Sequence, residues 1–248
     1  MDPRLRFRIT HSHHPIAAPL SDEAVERLLA RALRGRAGRL LDLGCGEGAW
    51  LLRALTADQG LRAVGVDLDD AALGRARERA EALGVSRRIG LHHRDVREHE
   101  AEQPFDVVLS VGTEHAFGGV VPTLEAVRGM LRPGGVAVLG VCFWERKPGA
   151  AALKALGVPE KEYTDLPGLV TRITEAGWAP VDAHVSSLAE WDAYEWSWTG
   201  SLTEWALEHP DHPDAAEALT TATEHRDGWL NGYRGTLGFV TLLLRATG

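Results

Sequence analysis

Cysteine is nearly absent from this chain: Cys45 and Cys142 are the only two in 248 residues. Two isolated cysteines build neither a disulfide framework nor a C-x-x-C metal site. Lysine is scarce as well, with Lys147, Lys154 and Lys161 the only three among 27 basic residues. No G-K-[ST] follows the glycine-rich turn described below, which removes a P-loop. Nowhere do 18 apolar residues run consecutively, and the opening MDPRLRFRITHSHHPIAAPL lacks an apolar signal-peptide core. A soluble, cytoplasmic protein with no membrane partner is therefore expected. Positive charge is short too. The net charge of −8 argues against a nucleic-acid partner as the main business.

What the chain does have is a regular alternation. SDEAVERLLARAL reads as a helix with Ser21 as N-cap and Ala24, Val25, Leu28, Leu29 and Ala32 on one apolar face. Then strands and helices take turns: GRLLDL, a helix over Ala49–Ala57, LRAVGVDL, an amphipathic helix ending at Gly84, RIGLHHRDV, PFDVVLSVG, the helix VPTLEAVRGML and GGVAVLGVCFW. Near-continuous apolar strands must be covered on both faces, so the expected fold is α/β, a doubly wound, mostly parallel sheet. WAPVDAHVSSL and LGFVTLLLRA supply strands 6 and 7. Between them lies a polar, helical stretch, 189–235, holding five of the eight tryptophans. Trp191, Tyr194, Trp198 and Trp205 share one helical face there.

The chemistry concentrates in RLLDLGCGEGAW, Arg39–Trp50. A strand ending in G-x-G and feeding a helix is a nucleotide-binding turn: glycines admit a close ligand, and the helix N-terminus offers free N–H groups. GCGEGA fits both G-x-G-x-x-A, the dinucleotide fingerprint, and D-x-G-x-G-x-G counted from Asp42. Asp67 closes strand 2, where a carboxylate accepts two hydrogen bonds from a ribose diol. Asp95, in HRDV after strand 3, is placed to accept from an exocyclic amine such as adenine N6. LRPGG, Leu131–Gly135, predicts a tight turn between a helix and strand 5.

Taken in order, these features resemble the class I S-adenosylmethionine-dependent methyltransferases, from Leu40 to about Cys142. The stretch from LPGLV through EWDAYEWSW is similar to a bacterial small-molecule branch of that family. The resemblance implies a Rossmann-like seven-stranded sheet with an antiparallel last strand, and S-adenosylmethionine as cofactor. It also implies roles. Asp42, Gly44, Cys45, Gly46 and Gly48 would border the methionine part, and Asp67 would take the ribose hydroxyls. Leu68 would pack on the adenine, Asp95 and the Val96 N–H would read its edge, and Ser110, Val111 and Gly112 would lie beside the transferable methyl. A non-catalytic cofactor-binding module and an NAD-dependent oxidoreductase are the alternatives. The second would be expected to show a Tyr-x-x-x-Lys pair.

For the acceptor, a small and partly apolar molecule, the residues say less. No N-P-P-Y follows strand 4; SVGTEHAFGG stands there instead, making Glu114 and His115 the candidates for a catalytic acid–base role. THSHHP carries His11, His13 and His14 without matching Cys or carboxylate spacing, so no metal is expected. Acceptor contact is expected at His14, Trp144, Tyr194 and Trp198. The organisation expected is an N-terminal arm over 1–20, a core over 21–188 and 236–248, and a lid-like insertion over 189–235, in a monomer or homodimer.

Overall fold

The structure, a computed structural model, describes residues 1–35 and 38–247. It divides into two compact units. One comprises Ser21–Val141, Pro167–Val185 and Val240–Gly248 and is the sheet unit; the other comprises Met1–Leu20, Cys142–Leu166 and Ser186–Phe239 and is the helical unit. Residues 142–166, which the sequence pattern assigns to the core, thus group with the N-terminal arm and the Trp-rich segment.

The sheet is built from β1 (Arg39–Leu43), β2 (Arg62–Asp67), β3 (Ile89–His93), β4 (Phe105–Val111), β5 (Leu131–Trp144), β6 (Trp178–Val185) and β7 (Leu237–Ala246), in the order β3-β2-β1-β4-β5-β7-β6. β1 pairs in parallel with both β2 and β4, β3 is parallel to β2, and β5 is parallel to β4. β6 and β7 are antiparallel, as the resemblance implies. Strand order reverses between β1 and β4, the point where open α/β sheets bind ligands beyond the carboxyl ends of their strands. β1 and β4 are almost entirely buried, which is why they read as unbroken apolar runs.

The helices on this sheet follow ordinary rules. α2 (Asp22–Leu33) starts where the Ser21 hydroxyl accepts the Ala24 N–H at 3.2 Å, and it buries Ala24, Val25, Leu28, Leu29 and Ala32. α3 (Ala49–Ala57), α4 (Asp70–Ala82) and α6 (Val120–Met130) link successive parallel strands, with the four-residue α5 (Glu114–Phe117) ahead of α6. LRPGG is not a turn ahead of β5 but a bulge inside it: Leu131 pairs with Phe105 and Val136 with Val107, leaving residues 132–135 opposite Asp106 alone. The bulge is anchored by the Arg132 guanidinium, 2.5 Å from Asp106 Oδ1, while Asp106 Oδ2 accepts the Arg39 N–H at 2.8 Å.

The helical unit contains α1 (Pro3–Thr10), α7 (Ala150–Leu156), α9 (Leu188–Glu208) and α10 (Ala215–Gly228), which runs into a π-helical turn at Trp229–Tyr233; α8 (Leu166–Glu175) precedes β6. Asp2 caps α1 by accepting the Arg4 and Leu5 N–H groups, so the arm begins as a helix that hydrophobic patterning did not reveal. A Ser187–Glu190 capping box starts α9. Ile9, Leu202, Ala206, Ala215, Ala218 and Ala222 form one apolar cluster, with Trp198 and Trp205 packed against it.

Candidate cofactor site

The loop after β1 is fixed from both sides. The Gly44 and Cys45 N–H groups both donate to Val66 O of β2, at 2.8 and 3.1 Å, and the Gly48 N–H donates to Cys45 O at 2.8 Å. Gly44, Gly46 and Gly48 take φ of +85°, +51° and +73°, a region that residues with a Cβ avoid. Gly44 is also crowded: a Cβ there would overlap Thr113 Cγ2. Thr113 earns its place by bridging strands. Its hydroxyl donates to Leu43 O at 3.0 Å and meets the buried Ser110 hydroxyl at 2.7 Å, tying the end of β1 to the end of β4. Sequence spacing did not single Thr113 out, because its role depends on the approach of two strands distant along the chain. Glu47 was missed as well. It pairs with Arg75 Nε at 2.6 Å and Arg79 Nη2 at 2.8 Å, one turn apart on α4, and so pins the loop from outside.

Two carboxylates converge here. Asp42, only 4% exposed near the end of β1, has its pKa pushed up to about 8 by burial and then by the charge of Asp67. Asp67 accepts the Gly46 N–H on Oδ2 at 2.7 Å and the Asp69 N–H on Oδ1 at 2.8 Å. Each oxygen keeps acceptor capacity for a further donor such as a diol hydroxyl. Next to it in the chain, Leu68 is 61% exposed, an apolar side chain left open to a ligand. Space is open where a ligand would need it: a Cβ at Gly46 or Gly112 would meet no atom within 4 Å.

Asp95 caps the short turn Val96–Glu98 by accepting the Arg97 N–H at 2.9 Å, and the Arg97 guanidinium lies 2.5 Å from its Oδ2. Those bonds hold its carboxyl down at about 2. Val96 is buried. At the end of β4, Ser110 is buried, Val111 is partly buried and Gly112 is exposed, with its N–H on Gly140 O at 2.8 Å. Cys45 is buried and its thiol is pushed up by burial, so it is a packing residue and no nucleophile.

The donor set suits a cationic nucleoside ligand. Two acidic side chains converge, Asp67 keeps acceptor capacity, and among the described residues no lysine or arginine bonds to Asp42 or Asp67. A dinucleotide pyrophosphate would meet the Asp67 carboxylate at the same place, with no cation bonded there to offset it.

The comparisons decide the matter. A family described as a methyltransferase domain matches residues 41–137. The crystal structure of an S-adenosylmethionine-dependent methyltransferase from Thiobacillus denitrificans, in complex with S-adenosyl-L-homocysteine, superimposes with a TM-score of 0.89 at 30% identity, covering 99% of this chain and 100% of that one. The chain belongs to the class I S-adenosylmethionine-dependent methyltransferases. Its cofactor is S-adenosylmethionine. Two curated relatives carry more specific names. The 27-O-demethylrifamycin SV methyltransferase of Amycolatopsis mediterranei is 28% identical over 202 residues, 76% of this chain and 73% of its own length. The ubiquinone biosynthesis O-methyltransferase of Rhizobium johnstonii is 32% identical over 162 residues, 62% of each chain.

Of the residues expected on the acceptor side, His115 is exposed on α5, and among the described residues no hydrogen bond orients its ring. The Glu114 backbone carbonyl accepts the Gly119 N–H at 2.9 Å. The other four lie in the helical unit. Trp144 is buried, its indole N–H on Glu160 O at 2.8 Å and its ring edge-on to Tyr163. His14 bonds Ile16 O at 2.7 Å through Nδ1 and meets Tyr194 edge-on at 5.3 Å. His11 Nε2 lies 3.2 Å from the Tyr194 hydroxyl, and Trp198 stacks on His225 at 3.9 Å. The arm histidines therefore tie the arm to α9. Among the described residues no group of three His, Cys, Asp or Glu side chains could hold a metal ion, and no helix is long and apolar enough to cross a membrane.

Replacing Asp67 with alanine should weaken S-adenosylhomocysteine binding at least tenfold in titration calorimetry, because a charged acceptor and the brace on Gly46 go together. Unchanged affinity would remove Asp67 from the cofactor site.

Proposed function

We propose that this enzyme transfers the methyl group of S-adenosylmethionine to a hydroxyl oxygen of a small, partly apolar molecule. The observation that supports a small-molecule acceptor most is the helical unit itself. The 51 residues between β6 and β7, 186–236, exceed any ordinary loop, and they include two helices carrying an aromatic face. The names of the two relatives above, each an oxygen methylation, favour oxygen over nitrogen or carbon.

In this reading the sheet unit binds and the helical unit recognises. Asp67 holds the ribose, Leu68 covers the adenine, Asp95 and the Val96 N–H read its edge, and the glycine loop with Ser110 to Gly112 leaves room for the methionine part. The cofactor supplies a methyl group already activated by positive sulfur. The chain's own contribution is to bind, orient, exclude water and take a proton from the acceptor hydroxyl. Acceptor contact is assigned to Tyr194 and Trp198, with His14 and Trp144 in the same helical unit.

A turnover screen of hydroxylated aromatic and macrocyclic compounds, with mass detection, tests the reading. It should find a product heavier by one methylene together with stoichiometric S-adenosylhomocysteine. Methylation confined to amines or thiols would reject oxygen, and cofactor binding with no turnover on any acceptor class would favour a regulatory module.

A further inference from the structure

The helical unit buries a polar cluster that cofactor binding does not use. Glu195, on α9, is 2% exposed. Its Oε1 accepts the Tyr233 hydroxyl at 2.7 Å, and its Oε2 accepts His225 Nε2 at 2.7 Å. The Tyr233 hydroxyl lies 3.2 Å from the same Nε2. With Nε2–H committed to the carboxylate, the lone pair of the imidazole is on Nδ1. The carboxylate is sealed while the His225 side chain keeps 31% of its surface, so the imidazole is the reachable member of the pair. Trp198 stacks on it with an interplanar angle of 18°, which fixes the ring plane. Neither phenol competes as a base, since burial raises both Tyr194 and Tyr233 well above the ordinary tyrosine range.

A second observation points to a ligand. Trp191 is 9% exposed, and among the described residues its buried indole N–H has no hydrogen-bond partner. Its ring stands edge-on to Tyr233 at 6.5 Å and to Tyr194 at 6.4 Å, so it borders the same cluster. A buried donor without a partner is costly to the fold, and a ligand oxygen would remove that cost.

We propose that Trp191, Glu195, His225 and Tyr233 form the acceptor subsite, that its ligand is a phenol, and that His225 takes the phenolic proton. This rests on the reading that the acceptor atom is oxygen. The O–H bond breaks, its electron pair stays on oxygen, and the proton binds Nδ1. The resulting imidazolium is balanced by the Glu195 carboxylate and faced by the Trp198 ring. The Trp191 N–H donates to the phenolate oxygen.

The test uses 4-nitrophenol, whose phenolate absorbs where the phenol does not, added to protein saturated with S-adenosylhomocysteine about one pH unit below the phenol's own pKa. The parent protein should raise the phenolate band several-fold over buffer. His225→Asn and Glu195→Gln should each lose most of that band. Trp191→Phe, which keeps the ring, should weaken nitrophenol binding about fivefold, the worth of one hydrogen bond. A parent that binds no nitrophenol, or binds it only neutral, overturns the proposal. So does a band that survives in His225→Asn or disappears instead in His115→Ala. A parent that shows the band yet methylates no phenol supports the subsite and overturns the oxygen-methylation reading.

Discussion

Gly44→Ala is expected to be the most damaging single methyl in the sheet unit. Two costs add. The backbone at φ +85° costs a residue with a Cβ ~1–3 kcal/mol, and the new carbon would overlap Thr113 Cγ2, costing a further ~1–3 kcal/mol. Thermal and urea unfolding should both register a loss of roughly 2–5 kcal/mol, and S-adenosylhomocysteine affinity should fall with it, because the loop cannot keep both N–H bonds to Val66 O. The double variant Gly44→Ala with Thr113→Ser separates the terms. Serine keeps the hydroxyl that bonds Leu43 O and lacks the methyl that clashes, so about half the loss should return. An alanine variant unfolding within a degree or two of the parent would show that the loop relaxes freely.

Thr113 also lies where local sequence stops dictating contacts. The sheet was legible because each buried parallel strand is an unbroken apolar run, and α2 announced its own cap and face. Asp42, Asp67 and the loop glycines were legible because their chemistry is local to a strand end. Thr113 was not, since nothing in SVGT shows that its methyl will lie against a glycine about 70 residues earlier. LRPGG looked like a turn because Pro and Gly punctuate turns and bulges alike. The face of α9 was legible as aromatic, but its partners were not. Glu195 meets His225 and Tyr233 across 30 and 38 residues, a pairing set by how α9 and α10 pack.

Asp42 offers a test that needs neither acceptor nor turnover. With its pKa near 8 in the ligand-free fold, against about 3.8 for the ordinary residue, it is protonated in the folded chain and ionised in the unfolded chain over that window. The sign follows from proton counting: the folded state binds more protons, so the stability Asp42 contributes is fully present below about pH 4 and is lost as pH rises through about 8. A cationic ligand reverses the preference. S-adenosylmethionine should bind the ionised form, expelling close to one proton at pH 7 and gaining up to about tenfold in affinity per pH unit between 6 and 8. Calorimetry in two buffers of different ionisation heat measures that proton directly. Asp42→Asn should release correspondingly fewer protons, since an amide has none to give up, and its ligand-free melting temperature should no longer fall across the same window. Equal proton release by parent and variant would mean that Asp42 is already ionised, and that Asp67 carries the attraction for the cofactor's positive charge alone.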